Sequence, residues 1–250
     1  MLLLVVDTAG PSGGVLLAGI GGNNGDEGSA AEILGVIDLH PRQFSAELIP
    51  AIVELLQANR RLLGDVDAFA VVSGPGSFTG LRVGLSAVKA MAEATRKPIL
   101  TLSRLAIVAS LAARLPSCEL SDAAMHVVLD AGRGEFYHGM YRDAGKTRVA
   151  ESFETLASLT ETIDRQPGGI VVSEASAKTA IDSVAGPRLC EVPLPSVRDA
   201  LPLALEEWRA KRFHDAASVD ANYLRRSDAV VVVRTKADPM AAARAEDLPS

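Results

Sequence analysis

Leu2-Leu3-Leu4-Val5-Val6-Asp7-Thr8-Ala9-Gly10 opens the chain, and Met125-His126-Val127-Val128-Leu129-Asp130-Ala131-Gly132-Arg133-Gly134 repeats its plan. Each is a short apolar run rich in branched residues that ends in an aspartate and enters a turn of small residues. A second strand follows each turn, over 15–20 in the first case and 136–141 in the second. Two strand–Asp–turn–strand units, at 2–20 and 127–141, point to a duplicated domain.

Beyond the first pair of strands, the cluster Gly21-Gly22-Asn23-Asn24-Gly25-Asp26 reads as a hairpin connection and 33–39 as a third strand. The chain therefore opens as an antiparallel meander. The period then changes. Ser45 reads as an N-cap, and Leu48, Ile49, Ile52, Val53, Leu55, Leu56, Leu62 and Leu63 recur at helical steps until Gly64. Pro50, late in the first turn, should bend that helix start rather than abolish it. Residues 68–73 form a fourth strand, followed by Gly74-Pro75-Gly76-Ser77-Phe78-Thr79-Gly80 and a helix over 79–95 that Lys97-Pro98 ends. A fifth strand is expected over 99–102 and a helix over 105–114. Further on, the spacing predicts a strand over 170–173, a helix from about Ser176, a loop at 193–195 and a helix over 202–211. The polar, Ala-rich stretch 234–250 has no apolar period and reads as a loose tail.

The composition is that of an ordinary soluble chain: 250 residues, 48% hydrophobic and 22% charged. Lys and Arg number 25 against 31 Asp and Glu, a net charge of −6. That balance weighs against tight, unaided nucleic-acid binding, which needs clustered cations to displace counterions, and no such cluster appears in the sequence. The opening apolar run lacks a basic flank and meets Asp7 too soon for a signal peptide or a membrane span, so a cytoplasmic protein is expected. Cys118 and Cys190 lie far apart with no partner at metal spacing, which excludes a disulfide scaffold and a CxxC site.

Several chemistries lack their residues. His40, His126, His138 and His214 never fall four apart, so no helix presents an HxxxH or HExxH pair, and no metal site is expected. No GxSxG elbow supports a hydrolase serine. The Gly74–Gly80 loop is one residue too long for a dinucleotide fingerprint and has no Walker lysine. It lies between a strand and a helix, where its glycines serve a tight turn and close packing, or backbone amides receive an anion. Asp7 and Asp130 admit two readings: each caps its own turn, or the pair holds a hydrated cation while the turns face phosphate. Asp7, Thr8, Asp130 and Arg133 are thus candidate nucleotide contacts.

The two helices of the first half carry a surplus. On a helical wheel the polar side chains of 45–63, Asn59 apart, and those of 79–95 keep to narrow stripes. Each helix is left with an apolar or small-residue arc of about 220°, where lying on one sheet needs about 100°. Either the helices absorb this by packing on the sheet and each other, or a partner protein covers it.

Leu3-Leu4-Val5-Val6-Asp7-Thr8, Phe44-Ser45-Ala46-Glu47-Leu48-Ile49-Pro50, Gly74-Pro75-Gly76-Ser77-Phe78-Thr79-Gly80-Leu81-Arg82-Val83-Gly84, Leu129-Asp130-Ala131-Gly132-Arg133-Gly134-Glu135-Phe136-Tyr137 and Tyr223-Leu224-Arg225-Arg226 together resemble the bacterial TsaB (YeaZ) family, in order and up to about residue 233. The resemblance implies an α/β, actin/Hsp70-like duplicated fold: two mixed-sheet subdomains, the second reduced. The expected division is 1–104, 105–233, with its last helix packing back on the first unit, and a tail at 234–250. It also implies a non-catalytic subunit in the synthesis of threonylcarbamoyladenosine beside the anticodon of tRNAs reading codons that begin with A. The implied partners are a catalytic TsaD-like paralogue and a TsaE-like ATPase, with a homodimer when alone and tRNA met only through the complex. The family's pairing surface corresponds to the two over-apolar helices, so Leu48, Ile52, Leu55, Leu56, Gly80, Gly84, Leu85, Val88 and Met91 are expected at the interface. No cofactor is expected. One departure stands out: Phe44 occupies the place where the family usually has His, with His40 four residues earlier, so no role for that histidine transfers. The competing reading is an ATP- and magnesium-dependent small-molecule kinase or transferase built on Asp7 and Asp130, although the first turn offers Pro11 and no cation to meet a phosphate.

Overall fold

The computed structural model describes residues 1–21, 31–116, 118, 124–143, 145–222 and 224. The expected tail at 234–250, most of the 21–26 connection, and Tyr223, Arg225 and Arg226 lie outside the described residues.

The first sheet contains β1 (Leu2–Asp7), β2 (Gly13–Ile20), β3 (Ala31–Leu39), β4 (Ala68–Gly74) and β5 (Ile99–Ser103), in the order β3-β2-β1-β4-β5. The second contains β6 (Ala124–Gly132), β7 (Glu135–Arg142), β8 (Thr147–Thr155), β9 (Gly168–Val172) and β10 (Leu189–Glu191), in the order β10-β9-β6-β7-β8. Read in chain order the two sheets are the same object. In each, the first three strands pair antiparallel, and the fourth runs parallel to the first and to the fifth.

The helices repeat the plan. α1 (Phe44–Ala58), α2 (Phe78–Thr95) and α3 (Arg104–Ala112) belong to the first half, and α4 (Leu156–Arg165), α5 (Ala175–Ala185) and α6 (Val197–Arg209) to the second. The second half is reduced in its helices: α4 has 10 residues against 15 in α1, and α5 has 11 against 18 in α2. The third helices are exchanged. α3 buries Leu105, Val108, Ala109 and Ala112 against Val127, Leu129 and Val171 of the second sheet. α6 buries Val197, Ala200, Leu201 and Ala204 against Leu3, Val5 and Leu16 of the first.

β1 shows why a continuous apolar run is needed. Leu2, Leu4 and Val6 face the α1–α2 layer, while Leu3 and Val5 face α6, so the period of two buries both faces.

Local corrections follow from backbone chemistry. α1 starts at Phe44 with Gln43 at its N-cap and no side-chain cap bond, so Ser45 is not the cap, and the helix runs through Pro50. It ends at Ala58, not Leu63. The Asn59 side chain donates to the Leu55 carbonyl at 2.8 Å, and Arg60 turns to positive φ. Leu62 is then 75% exposed. α2 starts at Phe78, one residue before the expected 79, with Ser77 as its cap: Ser77 Oγ accepts from the Gly80 amide at 3.2 Å. β8, α4 and β10 are additions that the apolar pattern did not announce. Cys118 and Cys190 are a disulfide, Cα–Cα 5.5 Å, because the chain after α3 returns beside β10. It is one staple in the second half, not a scaffold.

The largest correction concerns the surplus on α1 and α2. Leu48, Ile52, Leu55, Leu56, Leu85, Val88 and Met91 lie in the first half's own core, each at most 8% exposed, and Gly80 and Gly84 are buried with them. The helices pack on the sheet and on each other. Part of the α2 arc is roofed by the chain itself, since Val219 is buried in that core and Lys89 Nζ donates to its carbonyl at 2.8 Å. What remains open is smaller: Ile49 at 49%, Val53 at 45% and Phe78 at 49% exposed.

Candidate functional site in the cleft between the two sheets

A cleft of about 910 Å³ separates the halves, lined by the first aspartate turn (Ala9, Gly10, Pro11), the N-terminal ends of α1 and α2, and by Arg104, Asp130, Tyr137 and Glu174. The duplicated topology sets its position, because β1 and β6 lead into it from opposite sides through their aspartate turns.

Asp7 is 3% exposed and its Oδ1 accepts from the Ala9 amide at 2.9 Å. Burial pushes its carboxyl above the ordinary carboxylate value, against the pull of that amide and of the Arg104 charge. Asp130 Oδ1 accepts from the Gly132 amide at 2.7 Å in the same two-residue pattern. Both aspartates therefore cap their own turns.

α2 rests directly on the first turn. Ser77 N donates to the Ala9 carbonyl at 2.8 Å, and Thr8 Oγ1 donates to the Gly80 carbonyl at 2.7 Å. A Cβ at Gly76 would come within 2.2 Å of the Ala9 oxygen, and one at Gly80 within 2.0 Å of the Thr8 oxygen. The glycines of the 74–80 loop thus serve close backbone approach. Thr8, 1% exposed, is a packing clamp rather than a cleft contact.

Arg104 and Glu174 link the halves, and the sequence reading missed both. Arg104 Nη2 donates to Glu174 Oε1 at 2.9 Å, with the side chains 5% and 13% exposed. Glu174 Oε2 in turn accepts from the Asp130 amide at 2.7 Å. The Arg104 guanidinium also lies where a Cβ at Gly10 would stand, at 3.0 Å. One side chain thus touches the first turn while its partner holds the second. The available signal was position: each residue follows a buried strand directly at a helix start.

Of the candidate contacts, Asp130 lines the cleft, while Asp7 is buried behind the first turn, whose residues Ala9, Gly10 and Pro11 line it instead. Arg133 does not line it. It sits exposed at positive φ between Gly132 and Gly134, outside the cleft lining. Among the described residues no group of three His, Cys, Asp or Glu could hold a metal ion, and no helix is long and apolar enough to cross a membrane.

This geometry defines the class: an actin-like α/β protein made of two copies of one unit facing across a cleft. The family described as "TsaD: tRNA N6-adenosine threonylcarbamoyltransferase" matches residues 36–202, and the chain belongs to that family; it is similar to the TsaB (YeaZ) proteins over most of its length. The Escherichia coli K12 tRNA threonylcarbamoyladenosine biosynthesis protein TsaB is 27% identical over 233 residues, 90% of this chain and 95% of that one. YeaZ from Pseudomonas aeruginosa superposes with a TM-score of 0.67 at 25% identity, over 88% of this chain and 100% of that one. A tRNA N6-adenosine threonylcarbamoyltransferase of Dehalococcoides mccartyi CBDB1 is 30% identical over 154 residues, 57% of this chain but 45% of its own length.

Proposed function

We propose that the chain is a non-catalytic subunit of a tRNA threonylcarbamoyladenosine-synthesising complex, pairing through the outer face of α1 and α2 with a catalytic paralogue. The observation that carries the reading is exposed apolar surface on both helices: Ile49 and Val53 one turn apart form a strip on α1, and Phe78 stands open at the start of α2. The Arg82 guanidinium lies 3.7 Å from the centre of the Phe78 ring. Such a strip is an ordinary signature of an interface, and standard interfaces bury about 800 Å² per partner. The nine core residues of the same helices support the strip from beneath.

The cleft supports the non-catalytic side. Both aspartates are engaged by their own turns, the Asp130 amide is taken by Glu174, and Arg104 is committed to that glutamate. A magnesium–nucleotide phosphate group does not fit this arrangement, because it would face the Glu174 carboxylate with the buried guanidinium already paired. The kinase reading therefore has aspartates at the right turns, but of the two cations lining the cleft Arg104 is paired with Glu174, which leaves Arg42, exposed just before α1. The units 1–104 and 105–233 are the division the subunit reading favours: α3, from residue 105 on, packs on the second sheet, and α6 returns to pack on the first.

The test is co-purification with an HxxxH-bearing paralogue, followed by threonylcarbamoyl transfer with and without this chain. Ile49→Glu with Val53→Glu should leave the fold intact and weaken the association at least tenfold. Unchanged association places the partner elsewhere. Val88→Glu, at 0% exposure, is unsuitable because it would unfold the core instead.

A further inference from the structure

A second groove, of about 1080 Å³, runs between the C-terminal end of α6, the outer face of α3 and the β7–β8 hairpin, and it shares no lining residue with the aspartate cleft. Its walls gather Arg114, Lys146, Arg148 and Arg212 against two lining carboxylates, Glu206 and Glu207, in a chain of net charge −6. Glu207 fixes Arg212 in bidentate contact at 2.6 and 2.8 Å. The other cations are loosely held. Arg148 is 61% exposed with Glu151 at 3.8 Å, and Arg114 is 46% exposed with Asp199 at 3.4 Å. Lys146 is exposed. Glu151, beneath the floor, is occupied by Ser103, Tyr141 and Asn222 at 2.5, 2.8 and 3.1 Å.

One aromatic ring completes the groove. Phe213 is 40% exposed and is held edge-on by Trp208 at 4.9 Å between centroids. Spaced cations beside a rigid, open ring are the chemistry that grips a sugar–phosphate backbone and stacks an unpaired base. The cations come from separate stretches of the chain, so composition and runs of charge do not reveal them.

We propose that this groove is an RNA contact surface, with Lys146, Arg148 and Arg114 on backbone phosphates and Phe213 on an unpaired base. The choice of RNA among polyanions rests on the tRNA-modification reading. Direct contact then supplements whatever the partner subunits make, at the modest affinity that a few phosphate contacts give, roughly 10⁻⁶–10⁻⁴ M at physiological salt.

The test is fluorescence anisotropy of a labelled tRNA transcript with the full chain across a salt series. Lys146→Glu with Arg148→Glu should weaken binding at least tenfold and lower the slope of log K against log salt by about 1.4–1.8. Arg165→Glu with Lys178→Glu, the same charge change on α4 and α5, should cost less than threefold. Phe213→Leu keeps an apolar contact for Trp208. It should lose several-fold to tenfold in affinity without changing the slope. Equal losses in the groove and control variants, or no RNA binding at low salt, overturn the proposal. Displacement of the RNA by inorganic tripolyphosphate at micromolar concentration also overturns it, because the occupant is then a small anion. Transfer that needs this chain while groove variants bind RNA normally sinks the groove alone. Groove-dependent RNA binding with transfer that ignores the chain sinks the subunit reading alone.

Discussion

His126 Nδ1 lies 2.9 Å from His138 Nε2 across the β6–β7 pairing, and the surrounding bonds settle which nitrogen carries each proton. His126 Nε2 faces the Gln166 carbonyl at 2.7 Å and must donate to it, so its Nδ1 accepts from His138 Nε2–H. His138 Nδ1 is then free to accept from Ser152 Oγ at 3.5 Å. The chain of donors is complete only when both rings are neutral. Burial lowers both imidazoles below their ordinary value. His138 falls to about 4, with the neighbouring His126 adding to burial and Glu154 opposing it.

The sign of the pH dependence follows. Well above pH 6.5 neither the folded nor the unfolded chain protonates these rings. Between 6.5 and about 4 the unfolded chain takes a proton that native His138 refuses, so stability is lost as pH falls and levels off below about 4. The loss from His138 is on the order of 3 kcal/mol. Urea midpoints between pH 7.5 and 4.5 should fall accordingly, and His138→Gln should flatten the slope. A wild-type midpoint that holds steady across this range contradicts the neutral-pair reading.

Asp7 should cost stability. Its buried carboxyl has a raised pKa, so the native state binds this proton more tightly than the unfolded chain. Stability is lost as pH rises from the ordinary carboxylate value through the raised native one, and it stays reduced above that. Asp7→Asn keeps an oxygen for the Ala9 amide and removes the buried charge. Calorimetry at pH 7 should show Tm raised by a few degrees. A lowered Tm would mean that attraction to Arg104 outweighs burial.

Gly80→Ala and Gly84→Ala test how closely α2 sits on the first turn. The added carbons would come within 2.0 Å of the Thr8 carbonyl oxygen and 2.4 Å of Thr8 Oγ1. The first neighbour is backbone and cannot rotate aside, so Gly80→Ala should cost about 2–3 kcal/mol or more in urea unfolding. At Gly64 an added Cβ meets nothing within 4 Å. Its alanine variant should be close to neutral, and equal costs at the two sites would contradict the packing account.

The parts of this structure legible in the sequence are those where one residue's neighbours along the chain are also its neighbours in space. β1 and β6 announce themselves because a strand buried on both faces must be continuously apolar, and Asp7 and Asp130 because an Asx turn is local. β8 was silent because an edge strand half open to water carries Arg148, Glu151 and Glu154 among few apolar residues. The wheel over α1 and α2 overstated their free face, since it cannot see that each helix covers the other or that Val219 returns to roof α2. Cys118–Cys190, His126–His138 and Arg104–Glu174 are meetings between distant positions that no spacing rule detects.

Arg104 and Glu174 should behave as one unit. With both side chains nearly buried, removing either strands the other's charge in a poorly solvated cleft, and breaking such pairs typically costs about 3–5 kcal/mol. Glu174→Gln keeps an oxygen for the Asp130 amide, so its loss reports the charge more than the turn. Arg104→Met should cost as much. The double variant leaves no unpaired charge, so it should be less destabilised than the sum of the singles by at least 1 kcal/mol in a double-mutant cycle. Additive losses would mean that Arg104 holds the first turn and Glu174 the second independently, and that their ion pair does not couple the two halves.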